Sequence, residues 1–318
     1  MASANPHETY GLHLQVDYFE LFEFRVESHL GSGRSGDVYL ACSERHEGIT
    51  RAVKKASTKA EDLLVRGVSL QELKQKFYRE VEILQSINFP CILRGVNLIV
   101  CPDYLAITMD YCERGPLSEG LSRVDNAKTY IISLYLIRAL DYLHYHRIAH
   151  GDIKPSKILF AGFRENIRPV LAGFSAAFRL PQNSNMVRAY GQTPCYVAPE
   201  ARRKSESVDA LKCESFAMGT VMLCMALRTA PPPETDSYAD VIKGLPGLCD
   251  GMRALMHGMV QDDPANRISI SEANKLISCI DVEECRAAQV PINTANNEAV
   301  GRCHYTIPQA FFHIMCLD

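Results

Sequence analysis

Apolar and polar positions alternate early in the chain and recur at three- and four-residue spacing later. Phe24, Val26 and Leu30 fall on alternate positions, as do Val38, Leu40 and Cys42, so strands are predicted across residues 20 to 55. GSGRSG lies between them as a glycine-rich turn, and ITRAVKK predicts another short strand. Ser69 and Glu72 then stand at capping-box spacing. Leu70, Leu73, Phe77, Val81, Leu84 and Ile87 follow at helical spacing and give that helix one apolar face. FPCILRGVNLIV and YLAITMDY are apolar and β-branched, which predicts further strands. The first 110 residues therefore read as sheet with one long helix.

Beyond a GPL turn near Gly115 the period changes. Ala127, Ile131, Leu134, Leu140 and Leu143 mark a helix over residues 126 to 146. SFAMGTVMLCMAL is apolar on every side, which predicts a fully buried helix. Two more helices are predicted over 251–260 and 270–279, with the proline-rich RTAPPPE as a loop before them. From about residue 281 the pattern is mixed and carries no motif. The expected fold class is α+β in two lobes. The smaller is a mainly antiparallel β lobe with one helix, over 20–112. The larger is a mainly helical lobe over 113–280. Residues 1–19 form an extension and 281–318 a tail.

Composition narrows the function classes. The chain has 318 residues, 47% of them hydrophobic and 22% charged, which suits a globular protein with a sizeable core. A formal net charge of -3 gives no global electrostatic case for nucleic acid or for a membrane surface. MASANPHETYGLHLQ lacks a basic start and an apolar stretch, so no signal peptide is expected, and no run of 18 apolar residues predicts a membrane span. The twelve cysteines include no C-x-x-C. Free thiols in a reducing, cytoplasmic setting are expected rather than a zinc site or a disulfide framework.

Three stretches carry candidate chemistry. Gly31, Gly33 and Gly36 would let backbone amides approach phosphates without Cβ interference, although an ordinary glycine hairpin has the same spacing. In Arg51-Ala52-Val53-Lys54, Ala52 and Lys54 share a strand face, one small enough to admit a flat base and one able to reach phosphate. Glu80 falls inside the apolar stripe of its helix and Glu82 on the wet side. A glutamate in such a stripe needs a partner, and Lys54 is the expected one. Third, HGDIKPSKIL sets His150, Asp152 and Lys154 in an order used for phosphoryl transfer, with Lys157 where that order calls for asparagine.

In this order the motifs resemble the eukaryotic protein kinase family over roughly residues 20 to 280. VLAGFSAAF supplies a G-F-S turn at 173–175, and GQTPCYVAPE is similar to the family's segment ending Ala198-Pro199-Glu200. ESFAMG is similar to its D-x-W-S-x-G helix, with Glu214 and Phe216 replacing aspartate and tryptophan. Asp263-Pro264-x-x-Arg267 matches the late D-P-x-x-R, whose arginine pairs with Glu200. Lys154 and the G-Q-T-P run point to the serine/threonine branch. The motifs fix no subfamily; the NIMA-related group is the expectation.

The resemblance implies roles. Asp152 would be the catalytic base and Lys154 the lysine that steadies the transferred phosphate. Lys54 and Glu80 would anchor phosphates. Val38, Ala52 and Leu159 would sandwich adenine, with Met109 as gatekeeper and Asp110, Tyr111 and Cys112 as hinge. Two positions break the pattern. Gly173 replaces the aspartate of D-F-G and Lys157 the catalytic-loop asparagine, so both magnesium ligands are missing. Lys157 either takes over part of the metal's charge or points to solvent. Gly151 replaces the arginine of H-R-D, which removes the usual link to a phosphorylated loop. Gly95 is expected at an inner strand position, leaving the Glu80 helix less firmly seated.

The expected function is therefore a pseudokinase that binds ATP with weak metal dependence, magnesium binding being in doubt, and that regulates or scaffolds a partner protein. The alternatives are a serine/threonine kinase with unusual metal use, or a transferase moving another group from ATP.

Overall fold

The computed structural model describes residues 24–33, 35–163, 166–188, 191, 193–202, 207–230 and 237–288. The expected extension 1–19, residues 231–234 of the proline-rich loop and the chain after 288 lie outside them.

Strands β1 (Phe24–Gly33), β2 (Gly36–Ser43) and β3 (Thr50–Ser57) follow one another. Helices α1 (Ala60–Arg66) and α2 (Leu70–Gln85) come next, then β4 (Asn97–Val100) and β5 (Tyr104–Asp110). The strands form one antiparallel sheet in the order β1-β2-β3-β5-β4. The pattern predicts one helix in this lobe and the structure has two. Only Leu63 of α1 is buried, while Leu64 and Val65 are 83% and 89% exposed, so α1 has no apolar stripe to betray it. Helix α2 begins as predicted, with Ser69 and Glu72 closing a reciprocal capping box.

Three strand expectations need correction. The alternation at Val26 and Leu30 does not mark a core face, because both are exposed. β1 is an edge strand, and its register against β2 shifts between Val26 and Ser28 and again between His29 and Gly31. FPCILRGVNLIV is strand only over Asn97–Val100. Gly95 precedes that strand rather than lying in it. Its φ is +68° and a Cβ there would sit 2.3 Å from the Asp110 carboxylate, so glycine is required by close approach to the hinge. Nothing at Gly95 loosens α2, which is held by buried Leu73, Phe77, Val81 and Leu84 and by Gln85 donating to the Val96 carbonyl.

The second lobe is mainly helical. α3 (Leu117–Gly120) leads to α4 (Asn126–Tyr145), whose first turn is capped by Asp125 accepting from the Lys128 amide. Short strand pairs then shape the cleft floor. β6 (Ile148–Ala149) pairs with β9 (Phe178–Arg179), and β7 (Ile158–Ala161) with β8 (Arg168–Leu171). β10 (Met186–Val187) precedes α5 (Pro199–Arg202) and pairs with β11 (Val208–Asp209). α6 (Ala210–Leu227), α7 (Tyr238–Gly244), α8 (Asp250–Met259), α9 (Ile270–Ser278) and α10 (Val282–Ala287) complete the lobe.

Helix α6 is long and apolar enough to cross a membrane, but its residues from Cys213 to Met225 are enclosed by the rest of the lobe. Arg267 is 1% exposed and forks onto both oxygens of Glu200 at 2.7 and 3.0 Å, which is the expected pair. Burial alone would raise the Glu200 carboxyl, but Arg267 holds it below its ordinary value. The start of the predicted tail is ordered on this lobe: α10 packs on α4 and buries Cys285.

Candidate functional site

The sheet register gathers the cleft face. Directly paired residues point to the same side, so Val38, Lys54 and Ile107 form one row across β2, β3 and β5, and Leu40, Ala52 and Met109 form the next. Leu159 rises from the floor on β7, beside its bridge to Pro116. Ala52 and Met109 belong to the main buried cluster, and Val38 and Leu159 pack against it.

The hinge residues divide in use. The Asp110 amide donates to the Arg94 carbonyl, and its carboxylate pairs with Arg51 at 2.7 Å. Cys112 is 6% exposed, and burial, reinforced by Glu113 and Asp110, pushes its thiol up to about 12. It is an inert wall, not a nucleophile.

The glycine turn joins β1 and β2, with Gly31 opposite Val38 and Gly33 opposite Gly36. Only Gly36 is demanded by space, since a Cβ there would sit 2.6 Å from the Lys55 carbonyl. Gly31 has nothing within 4 Å, so space alone does not demand glycine there. The unpredicted α1 matters here. Arg66 at its end donates to the Gly33 carbonyl at 3.1 Å and to Asp37 at 2.8 Å, tying the turn down from outside. Its place in the sequence offered no signal.

Lys54 and Glu80 meet at 2.5 Å with 7% and 5% exposure, so α2 is seated against the cleft. Phe174 is buried and stands edge-on to His150, with ring centroids 4.8 Å apart. His150 is fully buried and bonds the Ala172 carbonyl at 2.9 Å; burial lowers its pKa.

Around the loop, Lys154 reaches Asp152 at 2.8 Å and donates to the Thr193 hydroxyl at 2.7 Å, and that hydroxyl donates to the other Asp152 oxygen at 3.1 Å. Thr193 was not singled out by its motif spacing. Behind the loop, Glu214 accepts from the Gly151 amide at 2.8 Å and bonds His144 at 2.7 Å. Gly151 has φ +80°, and a Cβ there would lie 2.6 Å from the Ala176 carbonyl. Glycine at 151 is thus a steric fit to the following turn as well as the loss of an arginine. Gly151→Arg is expected to lower the melting temperature rather than restore anything, measured by thermal unfolding.

Lys157 turns inward. A Cβ at Gly173 would lie 2.5 Å from Lys157 Cδ and 3.2 Å from its Nζ. The lysine thus occupies the space an aspartate would need. Burial lowers its pKa, Asp152 opposes this, and Lys154 and Lys54 add to it. Its ammonium therefore lies within the field of the groups that would face phosphates. Among the described residues no group of three His, Cys, Asp or Glu side chains is placed to hold a metal ion. At the two expected ligand positions Gly173 has no side chain and Lys157 ends in an ammonium, so neither offers an oxygen to a metal.

The family model for the protein kinase domain matches residues 24–276. The chain is 26% identical over 278 residues to serine/threonine-protein kinase Nek1 of Toxoplasma gondii, covering 78% of this chain and 17% of that one. It is 24% identical to CBL-interacting protein kinase 11 of Oryza sativa subsp. japonica over 87% of this chain and 54% of that one. It is 28% identical to an Aurora kinase of Eremothecium gossypii over 82% and 70%. The chain thus spans less than two thirds of the first two relatives. Three differently named kinases at similar identity single out no subfamily. A kinase domain implies ATP binding, normally with a metal. With the match covering well over half its length, the chain belongs to the protein kinase family.

Proposed function

We propose that this kinase domain is a pseudokinase, a nucleotide-binding module that regulates or scaffolds a partner protein. The observation that carries the reading is Lys157 lying over Gly173. Metal neutralisation and positioning supply most of the rate in phosphoryl transfer. Here an ammonium replaces two oxygen ligands. It offers a point charge to phosphate but cannot bridge two phosphates as an octahedral ion does. ATP binding then depends weakly on metal. The seated Lys54–Glu80 pair and the apolar Val38, Ala52, Met109 and Leu159 keep the nucleotide site formed while catalysis is poor. The partner is a protein, and the compartment is the cytoplasm, whose reducing poise suits the ten described cysteines, all of them free thiols.

A second reading rests on one specific observation, the intact Asp152–Lys154–Thr193 triangle. It supports an atypical serine/threonine kinase that works with the lysine in place of one metal. Radiolabelled ATP with generic protein substrates separates the two. No transfer with Mg²⁺ or Mn²⁺ is expected; transfer that vanishes in Asp152→Asn would establish the second reading.

Nucleotide binding has its own test. ATP is expected to raise the melting temperature equally with EDTA and with Mg²⁺, and Lys157→Met to remove most of that rise. A rise confined to Mg²⁺ would sink the metal-independent reading. The pH dependence follows from the lowered pKa of Lys157. The protonated form is the one that binds phosphate, so ATP affinity is expected to fall with rising pH sooner than for an ordinary lysine. Lys157→Met flattens that profile in titration calorimetry.

A further inference from the structure

Two cysteines at the base of the helical lobe stand apart from the other described thiols. Cys249 Sγ and Cys285 Sγ are 3.2 Å apart, and the pair is buried. A disulfide needs about 2.05 Å, so roughly an ångström of closure separates this contact from a bond. The residues are 36 positions apart, one at the start of α8 and the other on α10.

The two thiols differ in surroundings. Cys249 is the N-cap of α8, with extended φ and ψ and no side-chain cap bond. Cys285 lies on the inner face of α10 and is 1% exposed, against 9% for Cys249. Burial first, then Cys249, pushes the Cys285 thiol up to about 12. As the more exposed of the two, Cys249 is the sulfur that meets an oxidant and Cys285 the one that resolves it.

We propose that Cys249 and Cys285 form a reversible intramolecular disulfide, made by hydrogen peroxide, that staples α10 to the start of α8. In the first step the Cys249 sulfur attacks a peroxide oxygen, the O–O bond breaks, and the departing hydroxide takes the Cys249 proton as water. This leaves Cys249 as a sulfenic acid. In the second step Cys285 sulfur attacks Cys249 sulfur, the S–O bond breaks, and the departing hydroxide takes the Cys285 proton as a second water. Two thiols lose two electrons and the peroxide gains them. A dithiol reductant reverses the change.

The consequence is mechanical. α10 is a short helix that packs chiefly on α4. A covalent tie to α8 fixes the last described helix to the lobe. Closing a loop of this length stabilises chiefly by restricting the unfolded chain.

The test uses the full chain, hydrogen peroxide in stoichiometric steps, alkylation of remaining thiols and peptide mapping without reductant. The Cys249 peptide is expected joined to the Cys285 peptide at doses that leave buried Cys91 and Cys213 alkylatable only after unfolding. The melting temperature should rise by about 5–10 °C and return on adding dithiothreitol. Cys249→Ser and Cys285→Ser should each abolish the rise. In Cys285→Ser, a 1,3-dione probe should label Cys249 as a trapped sulfenic acid, an outcome a purely packing role would not give. The proposal is overturned if Cys285 joins Cys279, Cys303 or Cys316 instead. It is equally overturned if exposed Cys279 oxidises fully while Cys249 and Cys285 stay free.

Discussion

Gly173→Asp combined with Lys157→Asn is expected to convert ATP binding from metal-indifferent to metal-dependent, whereas neither change alone should. The single Gly173→Asp places a Cβ 2.5 Å from Lys157 Cδ at a φ of +79°. The left-handed backbone costs a non-glycine residue about 1–2 kcal/mol. The lysine chain must also move, and its ammonium then pairs with the introduced carboxylate, which keeps a divalent ion out. Lys157→Asn alone frees the space but leaves Gly173 with no ligand atom. Together the changes supply a carboxylate and an amide oxygen facing the phosphates, the donor types magnesium takes. Mg²⁺ should then tighten ATP by about tenfold over EDTA, or ~1.4 kcal/mol, read by titration calorimetry. In a stability cycle the two substitutions should couple by roughly 0.5–3 kcal/mol, because they touch. ATP binding in the double variant that ignores Mg²⁺ would mean that the metal site is lost in more than these two residues. If the double variant transfers phosphate, Asp152→Asn in that background should end it.

That prediction depends on a contact the sequence did not contain. The identities of Lys157 and Gly173 were plain from their motifs, and so was the loss of both ligands. The direction of the lysine was not, because it is set by a backbone sixteen residues away that happens to lack a Cβ. Features decided locally were legible. The Ser69–Glu72 box is one turn long, and the phase of Glu80 within its stripe follows from helix geometry, so its partner could be named. Features decided at a distance were not. The Gly151 clash with Ala176, the Gly95 approach to Asp110 and the Thr193 hydroxyl on Asp152 all join separate segments. Helix α1 failed for a different reason. It is held by one buried leucine and by Arg66 on the glycine turn, so it has no hydrophobic period to read.

The largest loss of stability is expected from Glu214→Ala. Glu214 is fully buried on α6, and its two oxygens serve the Gly151 amide and the His144 ring. Removing it strands the buried Gly151 amide and the partly buried His144 ring at about 1–3 kcal/mol each and opens a cavity beneath the His150–Asp152 segment, so a loss of roughly 3–5 kcal/mol is expected. For a domain of this size that lowers the melting temperature by about 6–15 °C in differential scanning fluorimetry. Glu214→Gln keeps an acceptor for Gly151 and should lose less than half as much. The ATP-induced shift should shrink in Glu214→Ala even below its new melting temperature, because the Gly151–Asp152 segment has lost its anchor. An unchanged shift would mean the loop is held by other contacts. Acid behaviour separates the variants further. Burial pushes Glu214 up, but His144, His150 and the Gly151 amide together leave its pKa below 4.5. Its contribution is present above 4.5 and is lost as pH falls through the lowered folded value. His150 is lowered from 6.5 by burial, with Glu214 the main opposing influence. The unfolded chain takes up that proton first, so stability begins to fall below about pH 6.5. Glu214→Ala removes the lower step and depresses His150 further, so the loss that begins near pH 6.5 should deepen in the variant.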